Sequence, residues 1–294
     1  MKKEAIEALR EVGEQLDRDQ YPRILDGGVI LPFDAASQLS LKGKEQTDEQ
    51  PRQRRSPAGP WQRPPRREGP SVGSWKTRAT TPVVDPILRK EYADGIVELQ
   101  QAYPGTMALH DAEGVWLRVP SAILRGLGKT ATFLLFVPNI VDRMPKAWGF
   151  WCTAISFEWI GPRHTNFPDG SICAFEPKDG TWSVGDNIVT LVDLYTLWAL
   201  RHEHLRRFGR WPGKQSVWHP RERLLELKDS EYCGCGTPRG TYAECCKPND
   251  ALLDQAEIAQ DFLKVFSLGL RGPPAAVLQF MRDGVPPPSL ASAC

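Results

Sequence analysis

The chain carries little excess charge of either sign. Its 37 Lys and Arg residues nearly balance its 36 Asp and Glu residues, which leaves a formal net charge of +1 over 294 residues. Proteins that coat nucleic acids or bind anionic membranes through charge alone need a strong basic excess. We therefore expect neither a general nucleic-acid coat nor a polybasic membrane binder.

Long apolar runs are missing as well. A membrane-spanning helix needs about 20 consecutive apolar residues, and no segment of the sequence comes near that length. The first residues, MKKEAIEALREVG, are charged and helical in pattern, whereas a secretory signal peptide has an apolar centre. These features predict a cytoplasmic protein with no membrane partner.

The sequence contains no complete phosphate-binding loop. The segment GLGKT, residues 126–130, resembles the end of such a loop, but the motif requires a glycine five residues before Gly128, where Ile123 stands. No other glycine-rich turn follows a predicted strand and opens a helix. We therefore expect no nucleotide-dependent activation by this chain, and any activated substrate would have to come from another protein.

Cysteines are few and unevenly placed. There are 7 in the chain, an odd number, and four of them lie within EYCGCGTPRGTYAECC at residues 231–246. A small secreted domain would instead distribute an even number of cysteines as a disulfide framework. Metal binding and catalysis are the better interpretations. Cys152 lies in an apolar predicted strand and is expected to be a core residue.

Two segments before residue 82 are expected to lie outside the main domain. Residues 1–39 form a short helical N-terminal extension whose helix is expected to have little to pack against; its apolar stripe consists of Ala5, Ile6, Leu9 and Leu16. Residues 40–81 are rich in Pro and Arg and too poor in core-forming residues to fold, so we predict a disordered linker. Its arginines, with Trp61 and Trp75, could contact phosphates or an acidic partner, but a solvated tether is favoured.

A mixed domain follows, and we place it at residues 82–228. A helical stripe of Leu88, Tyr92, Ile96 and Leu99 should end before Tyr103 and Pro104. The segments TMALHDAEGVWLRVP, with its turn at residues 111–114, ATFLLFVP and GFWCTAISFEWIG are rich in β-branched and aromatic residues. They predict a four-stranded antiparallel meander in an α+β fold.

The stretch HTNFPDGSICAFEPKDGTW, residues 164–182, has the character of a nucleophile site. Cys173 follows the Pro-Asp-Gly sequence of residues 168–170, which favours a tight bend and an exposed thiol. Asn166 offers two amide donors that could hold a loop or stabilise an oxyanion. His164 precedes it. The alternative is a buried, apolar Cys173 with a turn-stabilising Asn166.

A long helix is predicted after this stretch. Asp186 is a suitable N-cap, and one apolar face is formed by Ile188, Leu191, Val192, Tyr195, Trp198 and Leu205. His202 and His204 are two residues apart, so they point in different directions and cannot share a metal ion. We expect both to be solvated or structural. A shorter helical stretch is predicted around residues 221–227.

The order of these parts resembles the core of ubiquitin-conjugating E2 enzymes, which have HPN, then GxIC, then WSP, then a long helix. The matching residues here are His164, Thr165 and Asn166, then Gly170, Ser171, Ile172 and Cys173, then Trp182 and Ser183. Thr165 replaces the usual proline, and the loop before Cys173 is one residue shorter than is typical. Several weak motifs in one order and near-correct spacing are far more specific than a lone cysteine.

The resemblance implies an E2-like fold with an N-terminal helix, a four-stranded antiparallel meander, an active-site loop and a long C-terminal helix. It implies that Cys173 is the catalytic residue, which holds a protein C-terminus as a thioester and transfers it to an acceptor. Asn166 would order the loop or stabilise the oxyanion, and His164 would support the loop. Asp169 and Asp179 are candidates for orienting the incoming nucleophile.

A second site is predicted at residues 229–250. Cys233, Cys235, Cys245 and Cys246 supply four thiolates, the ligand set that a tetrahedral zinc ion accepts. The segment is similar to the SEC-C zinc motif, with a loop one residue longer than usual. Two disulfides are the competing interpretation, which the adjacent cysteines disfavour. Because all four positions are filled, we expect Zn²⁺ to be structural here, in a small zinc module.

The combination of the site, the long helix and the cysteine module looks most like bacterial E2-like proteins of CBASS-type antiphage operons, over about residues 82–250. This resemblance implies a separate E1-like activating enzyme as partner and a cyclic-oligonucleotide synthase as the conjugated protein. A non-catalytic E2-variant binding module and a zinc-stapled adaptor are the alternatives.

Residues 251–294 are expected to form C-terminal helices and a tail that ends at Cys294. Their apolar positions are Leu252, Ile258, Phe262 and Phe266 in one helix, and residues 275–281 in a second. These helices are expected to cover the zinc module or to bind a partner.

Overall fold

Five antiparallel strands form the centre of the protein, and helices cover both of their faces. The computed structural model describes residues 3–25, 29–31, 86–110, 113–121, 129–139, 143–153, 155–175, 180–236, 240–266 and 269–284. The helices are α1 (Lys3–Asp17), α2 (Pro86–Ala102), α3 (Ile188–Phe208), α4 (Pro220–Glu226), α5 (Lys247–Asp250), α6 (Gln255–Val265) and α7 (Ala275–Asp283). The strands are β1 (Arg23–Leu25), β2 (Val29–Leu31), β3 (Met107–His110), β4 (Gly114–Pro120), β5 (Thr130–Pro138), β6 (Lys146–Cys152) and β7 (Phe157–Trp159). The predicted linker, Asp179 and Cys294 lie outside the described residues.

The central sheet is a meander in which each strand pairs with the next, in the order β3-β4-β5-β6-β7, while β1 and β2 form a separate hairpin. The α+β class and the antiparallel meander are confirmed. The prediction of four strands is wrong because GFWCTAISFEWIG divides into β6 and β7. Thr153 makes the turn: its amide donates to the Ser156 carbonyl at 2.9 Å, and its hydroxyl accepts from the Ser156 amide at 3.1 Å. No glycine or proline marks this turn in the sequence.

One face of the sheet packs against α1, α2 and α3. Phe133 and Leu135 of β5 share this core with Leu99 of α2 and Leu191 of α3. From α1 the core includes Leu9, Val12 and Leu16, each no more than 2% exposed. The expectation that the N-terminal helix has little to pack against is therefore wrong, since each such side chain contributes roughly 1.5–3 kcal/mol when buried.

The other face of the sheet is covered by α7. Leu134 and Phe136 of β5 and Trp116 of β4 pack against Val277 and Phe280, and the rings of Trp116 and Phe280 meet edge to face at 5.6 Å. A strand buried on both faces is apolar without alternation, which is the pattern of β5. The last helix thus covers the sheet rather than the cysteine module.

Several helix ends differ from the predicted ones. The N-cap of α3 is Asn187, whose side chain accepts from the Val189 amide at 2.7 Å, whereas Asp186 accepts from the Ser183 amide in the preceding turn. Helix α6 begins after its N-cap Asp254, so the predicted Leu252 lies before it and is 85% exposed.

His202 and His204 are buried, and each ring contacts a backbone carbonyl: that of Arg163 at 2.8 Å for His202, and that of Arg210 at 3.1 Å for His204. Both histidines are structural, as predicted, and not solvated.

Among the described residues, no helix combines the length and the apolar character that crossing a bilayer requires.

Candidate functional site

The predicted site residues lie together in a short hairpin beside β6, residues 164–173, which we call the site hairpin. Thr165 and Ile172 form an antiparallel bridge at its centre. On one side of this bridge the Cys173 amide donates to the His164 carbonyl at 2.9 Å, and on the other the Asn166 amide donates to the Ser171 carbonyl at 2.7 Å. The backbone therefore places Cys173 opposite His164, with Asn166 as its diagonal neighbour.

The hairpin has a buried side and an accessible side. Thr165 and Ile172 are 5% and 7% exposed, and the Ile172 amide donates to the Ala147 carbonyl of β6 at 2.7 Å. Cys173 is partly exposed and is a thiol rather than a disulfide, and Asn166 is exposed. Cys173 is thus partly exposed, while the backbone that carries it is fixed to the sheet.

Asp169 holds the turn of the hairpin. One carboxylate oxygen accepts from the amide and hydroxyl of Ser171 at 3.0 and 2.7 Å, and the other accepts from Lys146 Nζ at 2.8 Å. Burial acts to raise the pKa of Asp169, but these donors outweigh it and the pKa is lowered. The carboxylate is ionised at neutral pH, and its bonds to Ser171 and Lys146 shape the loop. That Asp169 orients an incoming nucleophile stays a prediction.

Gly170 permits close contact between the hairpin and a later segment of the chain. Its φ is +65°, and a Cβ at this position would lie 2.7 Å from the carbonyl carbon of Gly272. Any larger residue would force the two segments apart. The glycine of the predicted motif is therefore required by both conformation and packing.

The side chain of Asn166 turns into the hairpin. Its Nδ2 donates to Ser171 Oγ at 3.1 Å and to the Ile172 carbonyl at 3.4 Å. The Ser171 hydroxyl in turn donates to Asp169. Of the two roles predicted for Asn166, the observed contacts perform the first, which is to order the loop.

His164 supports Cys173 through its backbone. Its carbonyl accepts from the Cys173 amide and from Trp198 Nε1, at 2.9 and 3.0 Å. Its ring lies 4.4 Å from the ring of Trp211, and its Nε2 is 3.1 Å from Gln215 Oε1. Burial, together with the charge of Arg163, holds the pKa of His164 well below its usual range, so the ring is neutral at pH 7. Because the amide oxygen can only accept, Nε2 carries the proton.

Residues on both sides of the hairpin fix the chain around Cys173. Tyr195 of α3 is buried, and burial, followed by the nearby charge of a Cys173 thiolate, raises the pKa of its phenol. The Tyr195 phenol therefore stays neutral. After Cys173 in the chain, the ring of Phe175 packs against that of Trp182 with centroids 5.5 Å apart. Trp182 Nε1 donates to the Asn187 carbonyl at 3.0 Å.

The outer side of the hairpin is covered by residues that sequence reasoning did not assign to the site. Phe167 packs against Phe262 and Phe266, with ring centroids 5.5 and 4.8 Å away. Arg271 lies over the Phe167 ring and donates to the Pro162 carbonyl at 2.7 Å. The apolar face of α6 was the only sequence signal of this contact.

The second predicted site also has its residues together. The Sγ atoms of Cys233, Cys235, Cys245 and Cys246, the cysteine cluster, all lie within 4.8 Å of one another. The Cys235–Cys245 and Cys245–Cys246 separations are 3.6 and 3.8 Å. Zinc–sulfur bonds of about 2.3 Å in a tetrahedron place sulfurs about 3.8 Å apart, whereas a disulfide requires about 2.05 Å. The spacing fits four ligands of one ion.

The electrostatics of the cluster agree with this fit. Burial, then hydrogen bonds with Cys235 and Cys233, raises the pKa of Cys245 to about 11. Burial raises the pKa of Cys246 as well. These two thiols therefore stay protonated unless a cation compensates the thiolate charge. The guanidinium of Arg223 lies nearby and is paired with Asp250 through bonds of 2.8 and 2.6 Å. The donor set is suited to a divalent soft metal such as zinc.

The backbone around the cluster is tightly held. The Val217 amide donates to the Gly234 carbonyl at 2.7 Å, and Tyr232 pairs with Thr241 in an isolated bridge. Gly234 has a φ of +74°, and a Cβ there would lie 2.8 Å from the Val217 nitrogen. Two short segments thus bring the four cysteines together.

Comparisons of the chain with protein-family models, with curated proteins and with solved structures found no match.

Proposed function

We propose that this protein is an E2-like conjugating enzyme that carries a protein C-terminus as a thioester on Cys173 and transfers it to an acceptor. The observation that supports this most is the site hairpin. It presents a partly exposed thiol directly opposite His164, with Asn166 beside it, on a backbone fixed to the sheet and to α3.

The reaction has two acyl-transfer steps. In the first, the Cys173 thiolate attacks the carbonyl of a donor thioester, a new carbon–sulfur bond forms, and the donor thiolate leaves and takes up a proton. In the second, an acceptor amine attacks the Cys173 thioester, the amide bond forms, the Cys173 sulfur leaves, and the amine loses a proton. An ordinary cysteine is a few per cent thiolate at pH 7 and strongly nucleophilic, so no dedicated base is required.

The cysteine cluster would hold a structural Zn²⁺. All four ligand positions would be filled by Cys233, Cys235, Cys245 and Cys246, leaving none for water or substrate. The ion would hold residues 233–235 against the segment that includes Val217, beside the site hairpin.

The proposed partners follow from the resemblance to E2-like proteins of CBASS-type operons. That resemblance implies that a separate E1-like enzyme in the cytoplasm activates the donor, which fits a sequence without a complete phosphate-binding loop. In a CBASS-type antiphage system the conjugated protein would be a cyclic-oligonucleotide synthase.

The test is to incubate the purified protein with ATP and the proteins encoded beside its gene, then compare non-reducing and reducing gels. We expect wild type to form an adduct that dithiothreitol removes. Cys173→Ser should form an oxygen ester that dithiothreitol does not remove, and Cys152→Ser, which alters a strand cysteine, should behave as wild type. An adduct that still forms on Cys173→Ala would eliminate the proposed nucleophile.

A further inference from the structure

Gln215 joins the site hairpin to the cysteine cluster. Its Oε1 accepts from Arg163 NH2 at 2.8 Å and from His164 Nε2 at 3.1 Å. Its Nε2 donates to the carbonyl of Tyr232 at 2.7 Å. Tyr232 immediately precedes Cys233, and His164 lies opposite Cys173. One side chain therefore connects the His164 ring of the site hairpin to the backbone that enters the cysteine cluster.

We propose that Gln215 is a positioning residue that couples divalent-metal binding at the cysteine cluster to the geometry of the site hairpin. The inference rests on the proposed function for what the hairpin does, but the coupling itself is a property of the fold.

The link from Gln215 to Cys173 passes through an unfavourable backbone conformation. His164 has a φ of +50°, a conformation that is unfavourable for a non-glycine residue and persists only where surrounding contacts impose it. Its ring is held between Gln215 and Trp211. If that hold is lost, the His164 backbone can relax, and the carbonyl that accepts the Cys173 amide moves with it.

The link from the metal to Gln215 runs through paired backbone. The Val217 amide donates to the Gly234 carbonyl at 2.7 Å, and Gly234 lies between Cys233 and Cys235. Gln215 is two residues before Val217 and bonds to Tyr232, so residues 215–217 follow residues 232–234 closely. A metal bound by the cysteines would fix the second segment and, through these bonds, the first.

Glu231 makes a second connection between the hairpin and the segment before Cys233, and the experiment must leave that connection intact. Glu231 accepts from Arg163 NH1 at 3.0 Å and from the Trp211 amide at 2.7 Å. Removal of Glu231 would leave the buried Arg163 charge unpaired and would destabilise the whole region. Gln215→Glu is a sharper change because it keeps an acceptor for His164 and Arg163 but removes the donor to Tyr232. The side chain that holds the His164 ring then loses its anchor beside the cysteine cluster, which should loosen that hold.

The experiment uses the full chain, loaded with Zn²⁺ or stripped with a chelator, and measures metal content, hydrogen–deuterium exchange, and iodoacetamide labelling of the Cys173 peptide by mass spectrometry. In wild type, stripping should speed exchange in residues 163–173 and labelling of Cys173 by about tenfold. Zinc-loaded Gln215→Glu should retain about one zinc per chain. Even so, its residues 163–173 should exchange as fast as those of metal-free wild type. Gln255→Glu, the same change at an exposed position on α6, should match wild type.

Several results would overturn the coupling. One is that metal removal leaves hydrogen exchange in the wild-type site hairpin unchanged. Another is that metal removal changes exchange in Gln215→Glu as much as in wild type. The third is that the protein binds no zinc. If stripping unfolds the whole chain, zinc-loaded Gln215→Glu decides alone: faster exchange confined to the hairpin, with β5 unchanged, supports the proposal, and no change contradicts it. None of these readouts needs a donor protein, so failure of thioester formation would count against the proposed function only.

Discussion

The guanidinium of Arg271 lies 3.9 Å from the centroid of the Phe167 ring, on the outer side of the site hairpin. The same guanidinium donates to the Pro162 carbonyl at 2.7 Å and forms ion pairs with Glu222 and Glu226 of α4. Only 7% of the Arg271 side chain is exposed. A residue distant in sequence from Cys173 therefore joins α4 to the loop that presents the thiol.

Arg271→Met should destabilise the protein and loosen the hairpin. The change keeps a long apolar side chain over Phe167 but removes the cation that pairs with Glu226 and with the ionised form of Glu222. Loss of one partner of a buried ion pair typically costs about 3–5 kcal/mol, and we expect the lower end because Glu222 can take up a proton. Chemical denaturation measures the loss, and faster hydrogen exchange in residues 163–173 locates it. Arg282→Met, at an exposed position of α7, should stay within about 0.5 kcal/mol of wild type. Equal stabilities for the two variants would contradict the assigned role.

Glu222 makes stability fall as the pH rises towards neutrality. Burial, followed by the charge of Glu226, raises the pKa of Glu222 to about 7, although Arg271 and Arg163 act against this. The protonated form is thus favoured in the folded state. Its contribution is complete below the unfolded pKa of 4.5 and is lost as the pH passes 7.

Glu222→Gln, which resembles the protonated acid, should remove this dependence. Relative to wild type, the variant should gain roughly 2–3 kcal/mol between pH 4.5 and pH 8. Denaturation curves at both pH values give the difference. A constant difference between variant and wild type across this range would show that Glu222 does not titrate there.

The sequence predicts the elements whose pattern is local and misses features that depend on contacts between distant segments. Local patterns found the helix that ends at Ala102, the strands β3 to β5 and the long helix α3, because each has its own apolar period. The turn at Thr153 was missed. Hydrogen bonds of the Thr153 hydroxyl and amide stabilise it, so it needs neither of the residues, glycine and proline, by which a turn is recognised in a sequence. The unbroken apolar run of β5 could have shown that a further helix must cover the second face of the sheet.

The site shows the same division. Residue type and spacing predicted one site with Cys173, Asn166 and His164 and a second with four cysteines, and the structure brings the residues of each set together. Gln215 and Arg271 were not predicted, because an amide or a guanidinium has no pattern of its own. Their importance comes only from the backbone carbonyls and rings that the fold brings to them.

The cysteine cluster should contain about one zinc per chain, measured by elemental analysis after gel filtration. Cys233→Ser should lose the metal and much of the stability, since Cys233 is 2% exposed and structural zinc contributes directly to folding free energy. Cys173→Ala, outside the cluster, should keep its zinc. A well-folded wild type that binds no metal would refute the site.

Asn166→Asp tests how the hairpin presents its thiol. The Ser171 hydroxyl accepts from Asn166 and donates to Asp169, so a carboxylate at position 166 would face an oxygen whose proton is already committed. We expect a stability loss of about 1 kcal/mol and faster iodoacetamide labelling of Cys173, while Asn249→Asp, an exposed change of the same kind on α5, should have no effect.

If the proposed function holds, thioester loading and discharge should fall together in Asn166→Asp, because both proposed steps use the ordered position of Cys173. Timed gels with the donor present for loading, and with the donor removed and an amine added for discharge, separate the two rates. If discharge alone fell by about 10²–10³, with stability and labelling unchanged, Asn166 would instead act on the oxyanion of the transfer step. The order of the loop would then come from Asp169 and Ser171 without it.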